Sequence, residues 1–98
     1  MNGHATLRLD GELTIQRAQE LHGTLRAALE QPGPALQLDL AGVDAFDSAG
    51  VQLLLATRHS LLARERTLRL DPVSDCVLQG LRCFGLEALF RAGPGGGA

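Results

Sequence analysis

The residues able to do chemistry cluster in the middle of the chain: Asp39, Asp44, Asp47, Ser48 and His59, with Cys76 and Cys83 further on. A serine with a carboxylate and an imidazole is the set of a nucleophilic triad. The spacing rules it out. Val51, Leu53, Leu54 and Leu55 follow Ser48 and continue with helical spacing to Leu61 and Leu62, predicting one helix that carries both Ser48 and His59. That puts them about 16 Å apart along the helix axis. The three aspartates could hold a metal weakly, but aspartates at strand ends and in loops are commonly caps and turn formers. Cys76 and Cys83 would sit about 10 Å apart on one helix, too far for a disulfide. Their spacing fits no zinc pattern. Both are expected as core or half-buried thiols, and His22, Arg58 and His59 as solvated.

One spot is left. Leu36, Leu38 and Leu40 alternate as in a strand, a short loop Ala41 to Phe46 follows, and Asp47-Ser48 opens the helix. A small hydroxyl thus arrives where backbone N–H groups and the positive end of the helix dipole point outward. Two readings stay open: a plain helix cap, which serine and aspartate both make well, or a chemically addressable spot. Gly50 in the first turn costs up to about 1 kcal/mol relative to alanine, so something needs close access to the backbone there. Asp44 and Asp47 flank the turn without a lysine or arginine, which makes a poor phosphate cradle.

The remaining elements must hold that turn in place. Ala5, Leu7 and Leu9 alternate with polar residues as a first strand, Asp10-Gly11 is a turn, and Glu12-Leu13 is a short second strand. Thr14 is expected to cap a first helix with the apolar stripe Ile15, Ala18, Leu21, Leu25, Ala28 and Leu29, ended by Gln31-Pro32-Gly33-Pro34. The central helix should end near Arg64-Glu65-Arg66, whose charges suit a C-terminus. Thr67 to Leu70 reads as a strand, Pro72 to Ser74 as a turn, and Ser74 as the cap of a third helix with Val77, Leu78, Leu81 and Phe84. Gly80 inside it suggests close approach to the sheet, and Gly85 should close it. Leu86 to Phe90 is a last short apolar element. Val51, Leu54, Leu55, Leu81 and Phe84 are expected in one core with Leu38 and Leu40. Alternating strands and helices imply an α/β fold with a largely parallel sheet and helices mainly on one face.

Ninety-eight residues make one domain, taken as 1–91, with 92–98 as a flexible glycine-rich tail. A net charge of −2, scattered basic residues and only phenylalanine as aromatic argue against nucleic acid. No apolar run reaches membrane-spanning length and the first ten residues lack a signal-peptide pattern, so a cytoplasmic protein without membrane insertion is expected, monomeric or weakly dimeric. P-loop, GxGxxG, GxSxG and HExxH motifs are all absent. The expectation is a binding module, with no enzymatic activity, cofactor or metal.

The pieces GELTIQRAQEL, LDLAGVDAFDSAGVQLLL and LRLDPVSDCVLQGLRCFGLEALF together resemble the STAS domain, the fold of bacterial anti-sigma-factor antagonists and of the cytoplasmic tails of sulfate transporters. They span about residues 5 to 90, and the D-S-x-G followed by an apolar helix is the most specific part. The resemblance implies a four- to five-stranded mixed sheet with helices on one face. It also implies that Ser48, after Asp47 and before Ala49 and Gly50, is phosphorylated by a partner anti-sigma kinase. The partner would bind over Asp44, Asp47, Ser48, Ala49 and Gly50. The commoner second serine is Ala49 here, and the chain runs into GPGGGA where the family usually adds another helix. Three functions follow. The first is an antagonist that sequesters an anti-sigma factor or related serine kinase. The second is an unphosphorylated subunit docking on the ATPase of a lipid-transport ABC complex. The third is an accessory protein of chemotaxis or phosphorelay systems.

Overall fold

Strand β3, Ala35–Leu40, is the centre of the molecule, and the computed structural model describes residues 4–91 around it. Strand β1, His4–Arg8, runs parallel to β3 on one side and β5, Thr67–Val73, parallel on the other. The alternation has a physical outcome. Leu36, Leu38 and Leu40 are fully buried and share a core with Leu21 and Leu25 of the first helix and Leu53, Leu54 and Leu61 of the second. The residues between them face the other way, where Thr6, Gln37 and Arg69 line up in register and Thr6 and Arg69 are exposed. The helices therefore cover one face of this sheet.

A second, two-stranded parallel sheet pairs β2, Gly11–Leu13, with β4, Val43–Phe46, and sets Leu13 opposite Phe46. The sequence places a loop at Ala41 to Phe46; the structure corrects this. Four residues give too short an alternation to read, and this strand exists through pairing with a segment some thirty residues earlier. The five strands thus divide between two small sheets, and every ladder among the described residues is parallel.

Four helices follow from the apolar periodicities: α1 Ala18–Leu29, α2 Ser48–Ala63, α3 Asp75–Cys83 and α4 Glu87–Arg91. The first starts later than its pattern suggests. A 3₁₀ turn over Ile15–Arg17 precedes it, Thr14 makes no cap, and its hydroxyl donates to Glu12 Oε1 at 2.9 Å. Ile15 is 66% exposed, not part of the buried stripe of Leu21, Leu25 and Ala28. Strand β5 runs on through Pro72, where the sequence suggests a turn; the Asp71–Pro72 bond is cis and the ladder to β3 shifts register nearby. An edge strand tolerates proline because one side of it needs no backbone donor.

Val51, Leu54 and Leu81 enter the core as expected, with Leu55 packed at its margin. Phe84 does not; it is 50% exposed. The cause is the end of α3. Gly85 takes φ +71° and donates to the Arg82 carbonyl at 3.0 Å, while Leu86 N–H reaches back to Leu81 at 2.7 Å. This paired closure turns the chain before Phe84 can point inward, and Phe90 of α4 joins the core instead. Residues 92–98, read from sequence as a tail, lie outside the described residues.

Candidate functional site

Strand β4 delivers Asp47 in extended conformation, with φ −127° and ψ −171°, directly onto the start of α2. Its Oδ1 accepts the N–H groups of Ala49 at 2.9 Å and Gly50 at 3.1 Å. Its Oδ2 accepts the Ile15 N–H at 3.1 Å, across a gap of 32 positions in the chain. Asp47 N–H in turn donates to the Leu13 carbonyl at 3.3 Å. One side chain thus caps α2 and ties it to the segment entering α1. The Ile15 N–H does most to hold the Asp47 carboxyl below the usual carboxylate range; partial burial opposes this, and Gly50 and Ala49 add to the lowering.

Asp47, not Ser48, is therefore the cap, which closes one of the two readings of Ser48. Ser48 is the first residue of α2, it is exposed, and its hydroxyl has no hydrogen-bond partner among the described residues. Asp44 is exposed beside it on β4, Asp47 and Ala49 are half-buried, and Gly50 is buried. The five residues come together at one turn, with Gly50 underneath it.

The use of Gly50 is also explained. A Cβ there would collide with the Leu13 carbonyl oxygen and come within 2.9–3.0 Å of two carbons of the Phe46 ring. The opposite edge of that ring meets Gly80 of α3, where a Cβ would strike it too. Phe46 is wedged between two helices by two glycines. The close access suggested by Gly50 belongs to the chain itself, and Gly80 brings α3 against the end of β4.

The other reactive side chains stay apart from the turn. His59 lies on α2 itself, exposed and about 16 Å along the axis from Ser48. Asp39 forms a turn, accepting the Ala41 N–H at 3.1 Å. Cys76 and Cys83 are both free thiols on α3; Cys76 is half-buried and donates to the Val43 carbonyl at 3.2 Å, whereas Cys83 is exposed, contrary to expectation. Among the described residues no three or more His, Cys, Asp or Glu side chains gather as a metal group. No described helix is long and apolar enough to cross a membrane.

The family model described as "Mlab, STAS domain" matches residues 1–91. The chain belongs to the STAS family. Solved STAS-like structures have the same fold. A sulfate transporter family protein from Wolinella succinogenes is 28% identical with a TM-score of 0.73, over 92% of this chain and 74% of that one. The anti-sigma factor antagonist SpoIIAA in its unphosphorylated form is 23% identical with a TM-score of 0.71, over 89% of this chain and 76% of that one. The SulP transporter STAS domain from Vibrio cholerae is 21% identical with a TM-score of 0.68, over 92% and 70%. No curated protein matches. The STAS family and fold that the three sequence pieces resemble are thus both in place.

Proposed function

We propose that this STAS protein is a non-enzymatic docking module that binds a partner serine kinase or anti-sigma factor over the Asp47–Ser48 turn, and that phosphorylation of Ser48 releases the partner. One observation carries the reading: Ser48 is exposed and unbonded at the start of α2 while Asp47 does the capping. The hydroxyl can then change its chemistry without loosening the helix. A phosphate brings about −1.5 to −2 charges. The N–H groups of Ala49 and Gly50 already serve Asp47, and the segment 41–57 carries no Lys or Arg of its own to neutralise the new charge. The dianion is left facing outward beside Asp44 and Asp47, where a docked partner would have to desolvate it.

The family description, Mlab, favours a second reading. In it the same turn docks on the ATPase of a lipid-transport ABC complex and Ser48 stays unmodified. A single experiment separates the two. The purified chain is incubated with the candidate kinase and ATP, Ser48 is examined by mass spectrometry, and the parent, Ser48→Ala and Ser48→Asp are titrated by calorimetry. The switch requires phosphoserine at 48, parent-like affinity for Ser48→Ala and weakened affinity for Ser48→Asp. Unmodified Ser48 with equal affinities would sink it and leave the ATPase reading.

A further inference from the structure

We infer that Ile15 and Phe84 are the apolar anchors of the docking face around Ser48, and that its partner is a protein presenting an apolar patch rimmed by Arg or Lys. This rests on the reading of the Ser48 turn as a docking site and specifies what the site selects. Three large apolar side chains are exposed among the described residues: Ile15 at 66%, Phe84 at 50% and Leu62 at 46%. Ile15 is bonded to the turn, and Phe84 ends the helix packed beside it. Ile15 is fixed to it by its own N–H on Asp47 Oδ2 at 3.1 Å. Phe84 reaches it through α3, which runs along β4: Cys76 bonds the Val43 carbonyl and Gly80 meets the Phe46 ring. Phe84 follows Gly80 by one helical turn, as Ser48 follows Phe46 by two residues. Leu62 lies at the far end of α2, about 21 Å from Ser48.

Beyond the ion pairs of Arg17 and Arg82, the charge around these anchors is acidic. Glu12 and Asp44 are exposed on the paired strands β2 and β4, and Asp47 is half-exposed. The basic residues of the neighbouring segments are already occupied: Arg17 with Glu20 at 3.3 Å and Arg82 with Glu87 at 3.2 Å. An apolar centre with an acidic rim is complemented by an apolar patch with a basic rim. The same arrangement explains how a phosphate would break the contact. With Ile15 and Phe84 as the anchors, a dianion on Ser48 would enter the apolar centre, away from the basic groups opposite Glu12 and Asp44.

The test starts in the source cells. A photocrosslinking amino acid replaces Ile15, Ser48, Leu62 or Phe84 in the full chain, and crosslinked peptides are sequenced. Positions 15, 48 and 84 should reach one protein through apolar segments bordered by Arg or Lys, and position 62 should not. That protein, purified, is then titrated at two salt concentrations. Ile15→Ser and Phe84→Ser should each weaken binding at least ten-fold, Leu62→Ser should not, and affinity should fall with salt. Unchanged thermal melts show that the variants fold. Capture from position 48 with full affinity in both serine variants overturns the anchors and leaves the docking reading standing. Capture of a second copy of this chain from positions 15 and 84 overturns the stated partner. No capture from position 48 overturns the docking reading, and the anchors with it.

Discussion

Asp47 and Arg66 stand at opposite ends of α2 and do mirror-image work on α1. Asp47 collects three N–H groups: those of Ala49 and Gly50 in its own helix and that of Ile15, where the chain enters α1. Arg66 gives its guanidinium to three carbonyls where the chain leaves α1: Leu29 at 2.8 Å, Gln31 at 2.7 Å and Gly33 at 2.7 Å. Arg64 adds a bond to Leu29 at 3.1 Å. Each end of α1 is therefore pinned from the matching end of α2. An anion suits orphan N–H groups and a cation suits orphan carbonyls. The difference lies in what remains free. At the Arg66 end each guanidinium nitrogen is in use. At the Asp47 end the neighbouring Ser48 hydroxyl is idle, and altering it cuts no support.

The comparison breaks most visibly at Arg66. Arg66→Ala leaves the Gln31 and Gly33 carbonyls without their donor and Leu29 with Arg64 alone, and should cost about 2–3 kcal/mol, near the upper range for hydrogen bonds to a charged group. Arg66→Lys should recover only a minor part, because one ammonium cannot match a planar fork spread over three acceptors. Denaturant melts of the two variants check both statements. A near-neutral alanine variant would mean that water replaces the guanidinium at no cost.

Asp47 should fail in a different way, through pH. Its folded carboxyl titrates below the unfolded value of about 3.9. Its stabilisation is thus fully present above that value and is lost as pH falls through the folded pKa. Asp47→Asn keeps one acceptor oxygen for the cap but turns an amide toward Ile15 N–H. The variant should melt below the parent at pH 7, and the gap should narrow below about pH 4. A gap independent of pH would assign the loss to packing.

These roles also mark where sequence reading stops. The alternation of Leu36, Leu38 and Leu40, the periodicity of α2 and the closing Gly85 are local signals, and each led to the observed element. Asp47 and Ser48 were visible as a helix start, but which of them caps depends on backbone angles within one residue. The bonds from Asp47 to Ile15 and from Arg66 to Leu29 span 32 and 37 positions, and no local pattern announces them. The sequence gives Arg64 and Arg66 to the end of their own helix, while the structure gives them to α1. Phe84 has the spacing of a core residue and is exposed because the chain turns at Gly85. Gly50 and Gly80 were readable as sites of close approach, but only the three-dimensional packing shows that both face the ring of Phe46.

A change of opposite sign sharpens the Arg66 end. The residue after the C-cap of α2, Glu65, has φ +58°, and the closing bonds run from Glu65 to Leu62 at 3.0 Å and from Arg66 to Leu61 at 2.8 Å. This is the same closure that α3 makes with Gly85, built on a residue with a Cβ. Left-handed backbone costs a non-glycine residue about 1–2 kcal/mol. Glu65→Gly should therefore stabilise the chain by about 1 kcal/mol, part of the relief being offset by the greater freedom of glycine when unfolded. A denaturant midpoint that falls would show that the Glu65 side chain contributes more than its backbone costs.

The smallest effect is expected at Ser48, and its smallness is the point. Because Asp47 already holds the N–H groups of Ala49 and Gly50, removing the hydroxyl in Ser48→Ala should change stability by less than about 0.5 kcal/mol, as for an ordinary surface site. Ser48→Asp places a second carboxylate at the helix start, where the dipole favours it by about 0.3–1 kcal/mol and the neighbouring Asp47 opposes it by a similar amount. Its net change should be equally small. Urea melts of the two variants at pH 7 decide this before any partner is known. If Ser48→Ala lost well over 1 kcal/mol, the hydroxyl would be a structural support like Asp47 and Arg66, and a covalent switch there would unsettle the helix it marks.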